Sequence, residues 1–314
     1  MPNTPLLPQP NMRILLTGAT GFVGRRVAHR LLSEGHEILI ISRRSREDAP
    51  QELATASGSI NWVVGELSDI DIYRSRIKDF CPDVVVHLAW EGIPDFSFTR
   101  SLGNLQDSLG LFDLLLSLSC KHFVIAGTCL EVGKKYGPCP EGHCGSPVDD
   151  FTWAKHSLRE WLSLRAGGVG QPSFVWLRLF YVYGPNQRPG SLIPTILNDM
   201  IAGRKPNIRQ PGNRNDFIFV DDVAEALTIA ALQPNVSGVY NVGSGFSTSV
   251  AEVCSMASDI IGNDTTISCD IREKAAVDFW AEINRIQTDF GWKPKTNLRL
   301  GIEATLKALR ESAV

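Results

Sequence analysis

Arg13-Ile14-Leu15-Leu16-Thr17-Gly18-Ala19-Thr20-Gly21-Phe22-Val23-Gly24 decides the fold of this chain. Arg13 to Leu16 is a short, mostly apolar run, and it breaks into glycines before the helical spacing Val23, Val27, Leu31, Leu32 begins. A strand, a glycine-rich turn and a helix in that order make a βα unit. The glycines stand in the G-x-x-G-x-x-G form of the dinucleotide fingerprint. Gly18 permits the tight turn, Gly21 lets a pyrophosphate approach backbone N–H groups at the helix N-terminus, and Gly24 allows close helix packing. Thr20, Phe22 and Val23, inside the same loop, are expected at the cofactor.

Working outward, Glu37 to Ile41, Val84 to Val86, Phe123 to Ala126 and Phe174 to Leu177 are further apolar runs bounded by turn or polar residues. Helical patterns separate them, with Leu102 to Leu118 and Phe151 to Leu164 the long amphipathic candidates. The expected fold is therefore α/β, a doubly wound parallel sheet buried on both faces. Beyond Gly184, prolines at 185, 189, 194, 206 and 211 interrupt short elements, which suits a smaller C-terminal substrate lobe over the carboxyl ends of the strands. The division reads as a leader over 1–11, a dinucleotide-binding domain over 12–184 with about 216–246, and a second lobe from 185–215 and 247–314. Met1 to Asn11 hold four prolines and neither a basic start nor an apolar core, so they read as a disordered leader rather than a signal peptide, with Met12 a candidate native start.

Composition narrows the function class. A net charge of −3 with no long Lys/Arg block gives no footprint for nucleic acid or an anionic membrane, and no apolar run approaches a membrane span. Seven scattered cysteines, an odd number, read as reduced cytoplasmic thiols rather than a disulfide framework. Cofactor choice is read at the end of the second strand, where a carboxylate would bind an NAD ribose. Here Ser42-Arg43-Arg44 offers a hydroxyl and two guanidiniums, suited to a 2′-phosphate, so NADP(H) is expected ahead of NAD(H).

The chain resembles the extended short-chain dehydrogenase/reductase family, whose members epimerise, dehydrate or reduce nucleotide-linked sugars. The resemblance covers nearly all of residues 12–310. Beyond the glycine loop it rests on Gly65-Glu66-Leu67, Val86-His87-Leu88-Ala89, Asn104, Thr128, Lys155, Arg178 through Gly184-Pro185, and Asp216 to Ala224. It implies a Rossmann domain with a nucleotide-sugar lobe, often dimeric through the two long helices. It also places Glu66 and Leu67 near adenine, Leu88 and Ala89 along the dinucleotide, Lys155 at the nicotinamide ribose and Tyr181 beside the nicotinamide. Within the family, His87 to Gly92, Gly127-Thr128-Cys129-Leu130-Glu131 and Arg178 to Tyr181 look most like reductases acting at C4 of deoxysugar nucleotides. Dehydratases carry an Asp-Glu pair after the active-site hydroxyl. Cys129-Leu130 stands there instead and argues against water loss, since leucine exchanges no proton.

Three positions depart from the family pattern. Phe151 stands where a catalytic tyrosine would share a helix face with Lys155, keeping the ring and losing the proton. Asn215 replaces an arginine that commonly holds a sugar-nucleotide phosphate, with Arg214 or Arg188 as substitutes, and Tyr181 replaces a frequent asparagine. The expected catalytic set is Thr128, Phe151 and Lys155, with Trp90, Thr128, Cys129, Glu131, Trp153, Tyr181, Arg188, Arg214 and Asn215 toward a nucleotide-linked deoxysugar. The missing phenol reads as an engineered exchange that traps substrate, favoured because the remaining apparatus is intact, or as a natural variant with another acid. A nucleotide-sugar 4-epimerase and a catalytically silent NADP-binding module are the rival readings. His87 reads as a satisfied core histidine. Trp90 and Trp153 read equally as packing or sugar stacking. Cys129, Cys139, His143 and Cys144 lack metal-site spacing, and no metal is expected.

Overall fold

The computed structural model describes residues 11–133, 136–143, 145–262 and 277–312. The expected leader, apart from Asn11, lies outside the described residues, as do Lys134, Lys135 and Cys144. The first half alternates strand and helix: β1 (Arg13–Thr17), α1 (Gly24–Ser33), β2 (Glu37–Ser42), α2 (Gln51–Ala54), β3 (Ile60–Val64), α3 (Ile70–Phe80), β4 (Val84–His87), α4 (Phe98–Ser117) and β5 (His122–Thr128). Next come β6 (Tyr136–Cys139), α5 (Asp150–Ser163), β7 (Ser173–Leu179), β8 (Tyr181–Tyr183), α6 (Leu192–Ile201), β9 (Arg214–Asn215), β10 (Phe217–Phe219) and α7 (Val220–Ala231). The chain closes with β11 (Gly238–Val242), β12 (Thr248–Ser249), α8 (Val250–Ile261), β13 (Asp278–Ala281), α9 (Asn284–Phe290) and α10 (Leu298–Glu311).

Seven parallel strands form the main sheet in the order β11-β7-β5-β4-β1-β2-β3. Alternation along each strand divides the core in two. Ile14, Leu16, Ile38, Val84 and Val124 pack with α1 and α7 through Val27, Leu31, Val223 and Leu227. Leu15, Leu39, Val85, Phe123 and Trp176 pack on the other face against α3, α4 and α5 through Tyr73, Phe112 and Leu158. Each fully buried aliphatic or phenyl side chain contributes about 1.5–3 kcal/mol, so the two-sided burial sets the architecture. This is the expected doubly wound α/β fold.

After β1 the chain leaves toward one face, through α1, and after β4 toward the other, through α4. The order reverses between these strands, which opens a crevice at their carboxyl ends. A third core, built from Tyr183, Ile193, Leu197, Phe217, Val253 and Ile302, supports the second lobe. Its four-stranded sheet, β12-β9-β13-β6, takes in β6, which falls inside the stretch assigned from sequence to the dinucleotide domain. β3 escaped the sequence reading because it is an edge strand, with Asn61 and the exposed Val64 breaking the apolar run.

Candidate active site

The glycine loop is built by close approach. Gly18 has φ +72°, and a Cβ there would come within 2.7 Å of the Leu88 and Ala89 backbone; at Gly24 it would come within 2.0 Å of the Gly18 carbonyl. A Cβ at Gly21 would meet only the Gly18 carbonyl, at 3.1 Å, and the Gly21 N–H donates to that same carbonyl at 3.0 Å, closing the turn. α1 starts after Val23 with no side-chain cap, so its first N–H groups are placed for an anion. Gly18, Thr20, Gly21, Ser42, Arg43, Glu66, Leu67, Leu88, Ala89 and Trp90 line one cavity at this crevice. Bare backbone, an uncapped helix end and an apolar wall fit a dinucleotide. Phe22 lies 5.7 Å from the Arg26 guanidinium and Val23 packs on the core, so these two side chains turn elsewhere.

At the end of β2, Ser42 Oγ accepts from the Arg44 N–H at 3.1 Å. Arg43 reaches over the carboxyl end of β1 and donates to Glu91 Oε1 at 2.6 Å. Asn104 clamps the Glu91 backbone from α4, accepting at 2.6 Å and donating at 3.0 Å. The Arg44 side chain is exposed and lies outside the cavity lining. Arg25 of α1 was not anticipated: burial lowers its pKa, and repulsion from Arg26 and Arg44 adds to this.

At the far end, Asp149 caps α5 by accepting from the Thr152 N–H at 2.8 Å, and the helix presents Phe151 and Lys155 on one side. Lys155 is buried; its ammonium donates to the Ala126 carbonyl at 2.8 Å and lies 3.9 Å from the centre of the Trp90 ring. Burial lowers its pKa to about 7, against the opposing pull of Glu131. Phe151 is stacked on Phe96 at 4.7 Å and meets the edge of Trp90 at 5.6 Å. Phe96 went unnoticed in the sequence because it sits in a loop with no periodicity. Trp90 thus packs with this cluster and lines the cavity as well. Thr128 ends β5, half-buried, with Oγ1 accepting from the Leu130 N–H at 3.3 Å.

Three residues expected at substrate are turned away from it. Glu131 is 2% exposed and accepts from the Thr128 N–H at 2.7 Å and from Trp176 Nε1 at 3.0 Å, with Arg159 at 3.6 Å and Arg178 at 3.9 Å. Burial raises its pKa, but every close partner is a donor or a cation, which favours the carboxylate. Cys129 is buried in the core, and desolvation pushes its thiol up. Trp153, two residues on from Phe151 and about 200° round the helix, stacks on Phe98 at 6.0 Å. The Tyr181 ring lies between Phe217 and Phe279, at 6.1 and 6.2 Å, and burial raises its phenol.

In the second lobe, Arg214 is already committed, to Glu252 at 3.1 Å and to the Ser247 carbonyl at 2.8 Å. Asn215 is buried in β9 opposite Thr248, and Arg188 is exposed in the turn before α6. Asp216 has a role the sequence did not reveal: its buried carboxylate accepts from the N–H groups of Ser244, Gly245 and Ala281 and from the Ser244 hydroxyl, joining three chain segments. His87 is a satisfied core histidine, 2.8 Å from Thr17 Oγ1 and 3.1 Å from Ser108 Oγ, and burial lowers its pKa to about 3. Among the described residues no three metal-ligating side chains converge.

Comparison with known proteins agrees with this geometry. The UDP-glucose 4-epimerase of Mycolicibacterium smegmatis is 24% identical over 96% of this chain and 100% of its own length. The dTDP-6-deoxy-L-talose 4-dehydrogenase (NAD(+)) of Aggregatibacter actinomycetemcomitans is 24% identical over 74% of this chain and 85% of its own. The solved structure of MoeE5 in complex with UDP-glucose and NAD superposes with a TM-score of 0.81 at 25% identity, covering 96% of this chain and 100% of that one. Residues 14–243 match the NAD dependent epimerase/dehydratase family. The chain belongs to that family, within the extended short-chain dehydrogenases/reductases.

Proposed function

We propose that this chain is an NADPH-dependent oxidoreductase that interconverts ketone and alcohol at C4 of a nucleotide-linked deoxysugar. The observation that carries the reading is the polar end of the cleft, where Ser42 and Arg43 line the wall and Arg44 and Arg25 stand close by. A 2′-phosphate there gains charge-assisted hydrogen bonds. The named relative acting at position 4 of a dTDP-deoxysugar supports the reaction. The buried Cys129 and the apolar Leu130, in place of an acid–base pair, count against dehydration.

The cofactor, when bound, supplies or takes up a hydride. Backbone N–H groups at the start of α1 hold the pyrophosphate, Glu66 and Leu67 border the adenine end, and Leu88 and Ala89 wall the groove. Lys155 holds the nicotinamide ribose. Thr128 already uses its oxygen as acceptor toward Leu130, which leaves its hydroxyl proton to orient a substrate carbonyl. Trp90, Tyr181 and the exposed Arg188 border the sugar-nucleotide side. The Rossmann domain takes in residues 12–184 and about 216–246, and the remaining C-terminal segments make the substrate lobe. A cytoplasmic homodimer joined through α4 and α5 accompanies this reading, and sedimentation tests the dimer.

A nucleotide-sugar 4-epimerase is the second reading, supported by the relatives bearing that name and by the neighbour holding UDP-glucose with NAD. One assay separates them. Stoichiometric oxidation of NADPH with a panel of 4-keto-deoxysugar nucleotides is the expected result. Interconversion of UDP-glucose and its C4 epimer without net cofactor consumption would establish the second reading, and tight cofactor binding without turnover would mark a binding module.

A further inference from the structure

Among the described residues that line the dinucleotide cavity, Arg43 is the one cation, and it shares the wall with the carboxylates of Glu66, Glu91 and Asp107. A 2′-phosphate entering this cavity therefore depends on Arg43. That arginine is already engaged, because its guanidinium donates to Glu91 Oε1 at 2.6 Å, reaching over the carboxyl end of β1 from the end of β2 to the loop after β4. Phosphate and Glu91 call on the same donor.

Glu91 is held so that it stays in place when its partner changes. Asn104 of α4 grips its backbone from both sides, accepting from the N–H at 2.6 Å and donating to the carbonyl at 3.0 Å. The same Oε1 that takes Arg43 lies 3.5 Å from Arg100, which is also 3.7 Å from Asp95 and stands outside the cavity lining. Glu91 thus keeps a cation if Arg43 leaves. The Arg43 and Glu91 side chains are 60% and 50% exposed, and an ion pair so open to solvent is weak. A guanidinium on a phosphate dianion gains paired, charge-assisted hydrogen bonds, so the phosphate takes the arginine at a cost set by Glu91.

We propose that Glu91 tunes the cofactor selectivity of this chain by competing with the 2′-phosphate for Arg43. With NAD(H), whose ribose carries a hydroxyl at that position, the arginine stays on Glu91; with NADP(H) it crosses to the phosphate and Arg100 retains Glu91. The inference rests on the NADPH reading of the cleft and adds to it the residue that opposes that preference. Selectivity is then a difference between two positions of one side chain.

Calorimetric titration of the full chain with NADPH and with NADH, at low salt, tests this. Arg43→Ala should weaken NADPH selectively; equal loss of both cofactors overturns the NADPH reading, and the inference with it. Glu91→Gln keeps the backbone grip of Asn104, and it should raise the preference for NADPH about 1.4- to 5-fold while leaving NADH affinity unchanged. Arg100→Ala should move the preference the other way, since Glu91 then has Arg43 to itself. Both shifts should vanish on combination, that of Glu91→Gln in the Arg43→Ala background and that of Arg100→Ala in the Glu91→Gln background. Adenosine 2′,5′-bisphosphate should follow NADPH in each variant and 5′-AMP should follow NADH, and the shifts should shrink at high salt. Three results overturn the inference while leaving the NADPH reading standing, given a selective loss in Arg43→Ala. One is an unchanged preference in Glu91→Gln, another is the same shift whether or not Arg43 is present, and the third is a preference that moves because NADH weakens.

Discussion

At its nucleotide end the cleft is bare backbone and exposed charge, whereas at its catalytic end it is aromatic ring and buried charge. Gly18, Gly21 and Gly24 shape the first by having no side chains, and Arg43 and Glu91 meet there in open solvent. The second depends on Trp90 covering Lys155, with Phe151 packed on Trp90 and Phe96 on Phe151, and on Glu131 gathering Thr128, Trp176 and two arginines beneath it. The same chemical groups therefore carry different weight at the two ends. Exposed ion pairs are worth about 0–1 kcal/mol, while a buried carboxylate with several donors is coupled to everything it touches.

The sharpest way to break this comparison is to remove one acidic side chain from each end. Glu131→Ala should cost about 3–5 kcal/mol in urea unfolding, because it strips a shared carboxylate from buried Trp176, Arg159 and Arg178. The same substitution at exposed Glu91 should stay within about 1 kcal/mol. Equal losses at both sites would show that burial does not separate the two ends.

Lys155 sharpens the contrast through pH. An unfolded lysine keeps its proton to about pH 10.4, while the folded residue releases it near 7, so the unfolded state binds more protons between those values. The contribution of Lys155 to stability is therefore most unfavourable below pH 7 and improves as pH rises toward 10, by an order of a few kcal/mol. Thermal unfolding should show Lys155→Met gaining on the unsubstituted chain at pH 6 and losing that advantage by pH 9.5. A constant difference across this range would mean the ammonium is not desolvated.

At the nucleotide end the effects fall on binding rather than folding. Arg43→Ala and Arg44→Ala should weaken NADPH by about 1.5–3 kcal/mol for each charged hydrogen bond lost, leaving NADH nearly unchanged in calorimetric titration. Equal loss of both cofactors would remove the assignment. The smallest effect is expected from Glu91→Gln, which releases Arg43 from its partner and should tighten NADPH by about 0.2–1 kcal/mol at low salt, less at high salt.

The difference between the ends also explains what could be read before the fold was known. Glycine spacing after a strand reports on backbone geometry, which is local, and the loop from Gly18 to Gly24 sits as that spacing requires. Expectations for Glu131, Cys129, Trp153 and Arg214 concerned where side chains point. Three of these are held by partners far along the chain, Trp176 for Glu131, Phe98 for Trp153 and Glu252 for Arg214, and Cys129 is buried in the core. Phe96 and Ala126, which meet Phe151 and Lys155, carry no motif at all.

By itself the sequence determined the alternation of strand and helix, the two-faced burial of the sheet, and the place of the dinucleotide loop, because hydrophobic period and glycine spacing act over a few residues. It also placed Phe151 and Lys155 on one helix face, through the 3.6-residue turn. Only the tertiary structure decided that Lys155 lies buried beneath Trp90, that Glu131 supports Thr128 from below, and that Asp216 ties three chain segments together. Those properties arise from desolvation and from contacts between residues far apart in the chain, and neither leaves a local pattern to read.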